Sequence, residues 1–435
     1  MNILVITRGS WNINNNTGNT LEKLFCNLKN CNIYNLYMRN EEPNNSCSKT
    51  TFRISEQDLI KNWFFSKDVG EIIKEDKSDI KIEEDKNKTE REMYNFAKKT
   101  ELYLLWFIRE IIWMSNNWKS KKLDNFLEEI NPDIIFMPVY IFWYPHKILN
   151  YIYKKTNAKV VLYHADDAYS LKQYRFSPFY WIYRFILRKW IRKNIEISSI
   201  NYCISDMQVE EYSKYFNKNC LLLHKGYEIR NVIEKKCIVP FKIVFTGNMS
   251  SGRWKTLRDI GIILDEINED GMRANLNIYS ATPLTARMIK EFSKISSIKF
   301  NGEISPLEVI KVQENADILL HVESFELKNL LEVRLSFSTK IIDYVNMKKC
   351  ILAVGPKNIA SIQYFIKNNI GCTIYEKENL KNKLNLLLNK ESIENYQKNI
   401  TRFLDKQVLN NKNSVSILYE DFLKLVKNNN KNFFK

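Results

Sequence analysis

The chain has 435 residues, a formal net charge of +16 and an apolar residue content of 45%. A chain of this length exceeds what one hydrophobic core accommodates, so we expect two domains, and the apolar content excludes a largely disordered protein. The positive charge favours an anionic partner, a class that includes phosphorylated small molecules, acidic membrane surfaces and nucleic acids. We give this charge about half its usual weight, because abundant Asn, Lys and Ile are typical of an AT-rich genome.

The cysteines and the apolar runs of the sequence indicate the cellular compartment in which the protein resides. The eight cysteines stand at positions 26, 31, 47, 203, 220, 237, 350 and 372, without a CxxC pair or a histidine at metal-ligand spacing. The predicted state is therefore free thiols in a reducing cytosol. The N-terminal MNILVITRGSW is typical of a strand that enters a loop, not of a signal peptide. No apolar run reaches the ~20 residues of a membrane-spanning helix, and we expect a soluble, cytoplasmic protein.

Short apolar runs alternate with helix-length segments in the first half of the chain. Four of the runs predict strands: 2–7, 133–138, 159–164 and 201–204. The segment 123–130 predicts one of the intervening helices. This alternation indicates a parallel, doubly wound α/β sheet. The Lys- and Glu-rich run 66–91 predicts a solvated helix or a flexible insertion.

Two candidate sites lie in this first half. The strand 159–164 continues into an acid pair as VVLYHADD, so that His164 is followed by Asp166 and Asp167. Such residues suit acid–base chemistry or a metal, although a lone histidine at a strand end is more often structural. The polar loop 12–20, NINNNTGNT, contains Thr17 and Gly18 and can bring backbone N–H groups near a ligand. It matches neither a dinucleotide fingerprint nor a phosphate loop.

A basic amphipathic helix is predicted over residues 181–194, WIYRFILRKWIRKN. Its apolar face comprises Ile186, Leu187, Trp190 and Ile191, and its basic face comprises Arg184, Arg188, Lys189, Arg192 and Lys193. Such a helix suits an anionic membrane surface. It suits equally well a domain helix that buries its apolar face and solvates its charges.

The alternation restarts near residue 241. FKIVFTG predicts a strand that ends at Gly247, and the helix TLRDIGIILDEI follows it. Further strands are predicted at LNIYS, IKFNG, ADILLHV and CILAVG, and the chain from residue 378 onward predicts helices. We therefore expect domains 1–225 and 226–435, joined near residues 225–239.

Two segments of the second domain suit a phosphorylated ligand. Ligands of doubly wound folds lie at the carboxyl ends of the strands, where helix N-termini offer free N–H groups. The loop GNMSSGRWK begins with Gly247, which lets the backbone approach a ligand, and its Arg253 and Lys255 can neutralise a diphosphate. Surface loops that bind no ligand have such a sequence equally often.

The second of these segments is SFSTKIIDY. The hydroxyls of Ser338 and Thr339 can cap a helix, and they suit a phosphate as well. Lys340 adds a positive charge, and Asp343, one helical turn further on, can accept hydrogen bonds from ribose hydroxyls. An ordinary helix cap with a solvated lysine is the commoner meaning of one such sequence.

In order and spacing these features resemble the retaining family-four glycosyltransferases with the GT-B fold, in the branch that serves bacterial capsule, O-antigen and exopolysaccharide synthesis. VVLYHADD, FTGNMSSGRWKTL and STKIIDYVNMKKCILAVG are similar to three family segments, and the resemblance spans almost the whole chain. It implies two Rossmann-like domains that face each other across a cleft. The first domain would bind the acceptor near Thr17 and Gly18, and the second the nucleotide-sugar donor.

The resemblance also implies roles for single residues. His164, with Asp166 or Asp167, would lie near the transferred sugar as the catalytic group. Arg253 would replace the family's loop arginine, because Asn248 stands at that position. The family's Glu-x7-Glu pair falls on Leu335 and Asp343, so its first glutamate is missing.

The predicted function is transfer of a sugar from a nucleotide sugar to a saccharide or lipid-linked saccharide acceptor in cell-surface polysaccharide synthesis. We expect neither a cofactor nor a metal, because fixed cations can stabilise the leaving diphosphate. We also expect peripheral contact with the anionic inner face of the cell membrane, and no nucleic-acid partner. The alternatives are a nucleotide-sugar epimerase of the same fold, a non-catalytic nucleotide-sugar-binding protein and a nucleic-acid-binding protein. The aromatic residues argue against the last, because they lie in core-like runs.

Overall fold

The computed structural model describes residues 1–65, 69–73, 103–229, 238–409 and 414–432. Most of the predicted insertion at 66–91, and the greater part of the predicted join between the domains, lie outside these residues. The chain forms two compact units. The first unit comprises Met1–Leu171, Arg175–His224 and Ser414–Lys435, and the second comprises Lys172–Tyr174 and Lys225–Asn413.

The first unit is built on an eight-stranded sheet in the order β4-β3-β2-β1-β5-β6-β7-β8. Its strands are β1 (Asn2–Thr7), β2 (Asn32–Tyr37), β3 (Ser48–Arg53), β4 (Glu71–Ile73), β5 (Ile134–Pro138), β6 (Lys159–His164), β7 (Ser198–Cys203) and β8 (Cys220–Leu222). The β3–β4 pair is antiparallel, and the other described pairs are parallel. The central strand β1 has no exposed side chain from Ile3 to Ile6, as expected for a parallel sheet that is covered on both faces.

The helices of the first unit cover this sheet. They are α1 (Asn16–Phe25), α2 (Glu56–Phe65), α3 (Tyr103–Met114), α4 (Lys121–Ile130), α5 (Trp143–Thr156), α6 (Pro178–Ile197) and α7 (Asp206–Phe216). Helix α4 shows how the sequence sets their limits. Ser120 caps it by accepting a hydrogen bond from the N–H of Leu123, and Asn131 ends it in the left-handed conformation.

The second unit has a six-stranded, wholly parallel sheet in the order β11-β10-β9-β12-β13-β14. Its strands are β9 (Phe241–Thr246), β10 (Ala274–Tyr279), β11 (Ile298–Gly302), β12 (Ile318–Val322), β13 (Cys350–Val354) and β14 (Cys372–Ile374). This is the doubly wound order, in which the winding direction reverses between β9 and β12. Ligands of such sheets lie at the carboxyl side of that reversal.

Helices cover this second sheet, and the hydrophobic core on one of its faces includes Ile243, Ile278, Leu320 and Leu352. The helices are α8 (Arg253–Ile267), α9 (Ala286–Phe292), α10 (Pro306–Glu314), α11 (Leu327–Val333), α12 (Lys340–Asn346), α13 (Ala360–Asn368), α14 (Leu380–Leu387) and α15 (Lys390–Leu409). Helix α10 begins with a capping box. In this box Ser305 accepts from the N–H of Glu308, and the Glu308 side chain accepts from the N–H of Ser305.

The last described helix, α16 (Ser414–Asn432), belongs to the first unit. The expected second domain, 226–435, therefore extends too far at its C-terminal end. Leu418 and Phe422 of α16 are fully buried, and the Phe422 ring lies 6.4 Å from that of Phe25 in α1. The hydroxyl of Tyr202 donates to Asp421 at 2.7 Å. The apolar face of α16 thus completes the core of the first unit, a long-range pairing that the helical pattern of the sequence does not reveal.

The state of two cysteines also differs from the prediction. Cys26, at the end of α1, and Cys47, just before β3, form a disulfide. Their separation in the sequence hides this proximity, which arises because the segment before β3 lies against α1, where Ser46 donates to Glu22. Cys31, Cys203, Cys220, Cys350 and Cys372 are free thiols, and Cys237 lies outside the described residues. Within the described part of the chain, no helix has the length and apolar character needed to cross a membrane.

Candidate functional site

Two loops of the second unit meet at the carboxyl edge of its sheet, where the strand order reverses. Gly247 follows β9, and Glu323 follows the neighbouring strand β12. Between Gly247 and α8 the chain turns through Gly252, whose φ is +75°. A Cβ atom at Gly252 would lie 2.3 Å from Nδ2 of Asn329 and 2.5 Å from Oγ of Ser324. Glycine is therefore required at this position, and the loop lies tightly against the segment that follows β12.

Arg253, the first residue of α8, forms an ion pair with Glu323 through two hydrogen bonds. Nε donates to Oε2 at 3.0 Å, and Nη2 donates to Oε1 at 3.1 Å. The Glu323 side chain is 4% exposed and that of Arg253 is 21% exposed. Burial raises the pKa of Glu323, and the adjacent guanidinium partly offsets this rise. The pair uses the Nε–Nη2 edge of the guanidinium, and Nη1 has no hydrogen-bond partner among the described residues.

Lys340, the first residue of α12, brings a second cation to the same edge. Its Nζ lies 3.2 Å from the point where a Cβ atom on Gly247 would be. Burial lowers the pKa of Lys340, the nearby charge of Arg253 lowers it further, and Asp343 opposes both effects. Within the described residues the Lys340 ammonium makes no hydrogen bond or ion pair. A partly buried ammonium near a guanidinium is destabilised in its charged form, and a bound anion would stabilise that form.

His321 lies beneath these charges on β12. Its Nε2 is 3.6 Å from Oε1 of Glu323, which is too long for a hydrogen bond. Burial lowers the pKa of His321 to about 3, and Arg253 and Lys340 contribute to the shift. The imidazole is therefore neutral near pH 7 and does not form an ion pair with Glu323.

The other predicted donor-site residues are placed less uniformly. Oδ1 of Asp343 accepts a hydrogen bond from the buried Lys225 at 2.5 Å. Thr339 occupies the N-cap position of α12, but its hydroxyl makes no capping hydrogen bond, and Ser338 beside it is partly buried. Lys255 forms an ion pair with Glu326 at the surface. The structure thus brings Gly247, Arg253 and Lys340 together and leaves Lys255 in an exposed pair.

Glu323, His321 and Lys225 were not among the predicted site residues. Glu323 and His321 belong to ADILLHVESF, in which a charged residue directly follows an apolar strand. That position was a usable signal, because the carboxyl ends of parallel strands form the ligand edge. Lys225 carries no such signal, since its partner Asp343 is distant in the sequence.

In the first unit, His164 is a core residue. It has no exposed surface, and neither ring nitrogen has a hydrogen-bond partner among the described residues. Its ring packs edge-on against Tyr212 and lies 5.6 Å from Phe216. Burial lowers the pKa of His164 to about 3. The catalytic role predicted for His164 remains a prediction.

The two acids that follow His164 have different surroundings. Asp167 is buried and accepts from the N–H of Ser170 at 2.8 Å and from the hydroxyl of Tyr212 at 3.0 Å. Its carboxylate also lies 3.5 Å from Nη2 of Arg184. Asp166 is exposed. Asp167 therefore stabilises the turn after β6, and Asp166 is the carboxylate that solvent reaches.

The predicted polar loop at 12–20 is shorter than expected, because α1 begins at Asn16. The side chain of Asn15 caps the helix by accepting from the N–H of Gly18 at 2.7 Å. A Cβ atom on Gly18 would overlap the carbonyl oxygen of Asn12 at 1.9 Å. Thr17 is exposed in the first turn. Gly18 is therefore a close-packing glycine of a helix rather than a loop residue.

Helix α6 buries much of the apolar face that was predicted to contact either a membrane or the domain core. Leu187 and Ile191 are buried. Arg184, predicted on the solvated face, is buried too and donates to the carbonyl oxygens of Asp167 and Ser170. The domain-helix interpretation is therefore correct for this face.

The outward side of α6 has an apolar strip that the prediction missed. Phe179, Ile182 and Phe185 are 60%, 52% and 51% exposed. Their spacing places them on one side of the helix. Lys189 and Lys193, further along the helix, are exposed as well.

By sequence, no family model and no curated protein matches the chain. By structure, it is similar to WaaB, a lipopolysaccharide outer core galactosyltransferase, with a TM-score of 0.56, 13% identity and coverage of 99% of this chain and 100% of that chain. It is also similar to WaaG, a glycosyltransferase involved in lipopolysaccharide biosynthesis, with a TM-score of 0.56, 11% identity and coverage of 97% and 98%.

A third similar structure is a mutant of S. aureus TarM in complex with fondaparinux, alpha-GlcNAc-glycerol and UDP. Its TM-score is 0.50 at 17% identity, the match covers 70% of this chain, and the chain spans 58% of the length of that TarM chain. At these identities the similarity shows the fold. The predicted α/β class with two doubly wound sheets, as in GT-B glycosyltransferases, is confirmed.

Proposed function

We propose that the protein is a glycosyltransferase that moves a sugar from a nucleotide-sugar donor to a saccharide or lipid-linked saccharide acceptor. The observation that carries this proposal is the pair of cations at the sheet edge of the second unit. Nη1 of Arg253 and Nζ of Lys340 both lack a partner among the described residues. Both lie where the strand order reverses, the usual nucleotide position in such sheets.

The chemistry of the donor matches these two cations. Cleavage of the sugar–phosphate bond leaves negative charge on the nucleoside diphosphate, and fixed cations in a poorly solvated site stabilise that charge most in the transition state. Arg253 offers a planar fork and Lys340 a compact charge. We therefore propose transfer without a metal ion or another cofactor, and with retention of configuration, as the resemblance to family-four enzymes implies.

The acceptor is proposed to bind the first unit and to belong to a cell-surface saccharide. The names of WaaB and WaaG, which refer to lipopolysaccharide, support this class of acceptor. UDP, present in the TarM complex, supports a nucleoside diphosphate as the leaving group. A lipid-linked acceptor would require contact with a membrane, and the exposed apolar strip on α6 supports such contact.

The test begins with thermal denaturation in the presence of UDP-, GDP-, dTDP- and CMP-linked sugars. We expect one nucleotide class to raise the unfolding temperature. The stabilising donor is then incubated with and without candidate acceptors, in the presence and absence of EDTA. Transfer that needs an acceptor and survives EDTA supports the proposal. Conversion of the donor alone would indicate an epimerase, and failure of every nucleotide to stabilise the protein would contradict the donor site.

A further inference from the structure

Glu323 is a buried carboxylate in a site that otherwise suits an anion. Its main chain is fixed, because its N–H donates to the carbonyl oxygen of Val354 at 2.8 Å and its own carbonyl oxygen accepts from the hydroxyl of Thr256 at 2.9 Å. A Cβ atom on Gly355 would lie 2.9 Å from the Cβ of Glu323. Because residue 355 has no side chain, there is room beside it for Glu323, although burial disfavours a charged residue at this position.

The charged and titratable groups around Glu323 come from three elements. Arg253 on α8 holds both carboxylate oxygens. Lys340 on α12 lies close enough to Arg253 for their charges to interact. His321, on the same strand as Glu323, is neutral because its pKa is lowered to about 3. The carboxylate therefore balances one of two clustered cations.

A diphosphate that enters this edge brings negative charge next to the carboxylate. It is attracted by Arg253 and Lys340 and repelled by Glu323. Because these groups are poorly solvated, charge interactions among them are screened less than at the surface. The ion pair with Glu323 must consequently weaken the hold of Arg253 on a bound diphosphate.

We propose that Glu323 is the resident counter-ion of the diphosphate site, pairing with Arg253 when the site is empty and easing dissociation of the nucleoside diphosphate after transfer. This inference rests on the proposed function. Glu323 acts through Arg253 and is therefore a positioning residue, without contact with the reacting atoms.

The test is Glu323→Gln in the full chain, with binding of inorganic pyrophosphate, UDP and GDP measured by isothermal titration calorimetry. The substitution preserves the shape of the side chain and removes its charge. We expect the diphosphates that wild type binds to bind about tenfold more tightly or better. Uridine, which has no phosphate, should show no gain. A purely structural role would instead weaken binding, so the direction of the change separates the two roles.

Glu326→Gln is the matched control. Glu326 lies three residues further on and also pairs with a basic residue of α8, but its ion pair with Lys255 is exposed. Exposed pairs are screened by water and salt, so we expect diphosphate affinity within about twofold of wild type. Equal tightening by both substitutions would show a general effect of net charge and overturn the proposal.

The remaining outcomes are also decisive. Unchanged or weaker diphosphate binding by Glu323→Gln overturns the counter-ion role, while the proposed function stands as long as wild type binds. If wild type binds neither pyrophosphate nor a nucleoside diphosphate, the proposed function fails together with the inference. Should Glu323→Gln not fold, Glu323→Asp keeps the charge but shortens the reach to Arg253. It should tighten diphosphate binding by a smaller factor, and no gain would overturn the proposal.

Discussion

The ammonium of Lys340 lies 3.2 Å from the point where a side chain on Gly247 would begin. The glycine follows strand β9 and the lysine begins helix α12. The missing side chain is therefore what lets the charge approach the carboxyl edge of the sheet. Since burial and the charge of Arg253 lower the pKa of Lys340, a bound anion would stabilise the charged form of this lysine.

Lys340→Ala should weaken binding of the nucleoside diphosphate about tenfold or more, because a charge-assisted hydrogen bond contributes roughly 1.5–3 kcal/mol. The free energy of unfolding should stay unchanged or rise, since the substitution removes a poorly solvated charge. Titration calorimetry and thermal denaturation measure the two quantities. Lys381→Ala is the control, because Lys381 forms an exposed ion pair with Glu266. If wild type and Lys340→Ala bind the nucleoside diphosphate equally well, Lys340 does not contribute to the site.

Gly247→Ala should lower diphosphate affinity by roughly three- to tenfold without unfolding the protein, because the flexible end of Lys340 can yield to the added methyl group. The ring of Phe245 is equally close, at 3.2 Å. The matched control is Gly9→Ala in the first unit, where the added atom would lie 3.1 Å from the Glu41 carboxylate. It should leave diphosphate affinity unchanged. A loss of affinity in both variants would show a general effect of the methyl group.

The second unit was the more predictable half of the chain. Its five predicted strands are all present, and the clearest of them, Ile318–Val322, is a mostly apolar run whose side chains are all buried. Arg253, Lys340 and Gly247 were predicted to share a site, and the structure brings them together. The ion pairs of Arg253 with Glu323 and of Lys225 with Asp343 could not be predicted, because they join positions that only the folded sheet brings into contact.

The structure of the first unit differs more from what its sequence pattern predicted. Strand β2 escaped the prediction because polar residues interrupt its apolar run, although Nδ2 of the buried Asn35 donates to the carbonyl oxygen of Val5 and the hydroxyl of Thr7. The apolar face of α6 was predicted from Arg184 onward. A helical pattern does not reveal which of two apolar faces packs inward, and that choice depends on the neighbouring helices.

The stability of the protein should fall as the pH drops below about 6.5. Burial lowers the pKa of His146 to about 4 and the pKa values of His164 and His321 to about 3. Below about pH 6.5 the unfolded chain therefore binds protons that the folded chain does not bind, and each histidine contributes up to roughly 1.4 kcal/mol per pH unit. Urea unfolding at pH 7 and pH 5 measures the net loss, which the buried Glu110 partly offsets because burial raises its pKa to about 7.

His164→Phe tests the same effect at one position. The phenyl ring suits the aromatic contacts with Tyr212 and Phe216, and it removes the titrating group. We expect a shallower loss of unfolding free energy between pH 7 and pH 5, by up to roughly 1.4 kcal/mol per pH unit. An unchanged slope would contradict the assignment of His164 as a buried neutral residue. The same variant also tests the predicted catalytic role of His164. If His164 is catalytic, sugar transfer by the variant should be slower while its affinity for the donor stays unchanged.

The exposed strip on α6 should govern binding to membranes. Replacing Phe179, Ile182 and Phe185 together by serine should reduce co-sedimentation with vesicles that contain phosphatidylglycerol by about tenfold or more, because burial of each apolar side chain contributes on the order of 1.5–3 kcal/mol. Replacing Lys189 and Lys193 by glutamine should reduce binding at low salt only, since this part of the attraction is screened. Neither change should alter donor affinity in the second unit.

The matched control replaces three exposed apolar residues of the second unit, Ile289, Leu307 and Ile310, by serine. It removes a similar amount of exposed apolar surface, but it leaves the strip and its lysines intact, so vesicle binding should stay at the wild-type level. Equal loss in both triple variants would indicate nonspecific adsorption of apolar surface. Undiminished binding by the α6 triple variant would show that the strip does not contact lipid. If the protein binds vesicles of neutral phosphatidylcholine as well as anionic vesicles, the charges of Lys189 and Lys193 do not contribute, and the apolar strip accounts for the binding.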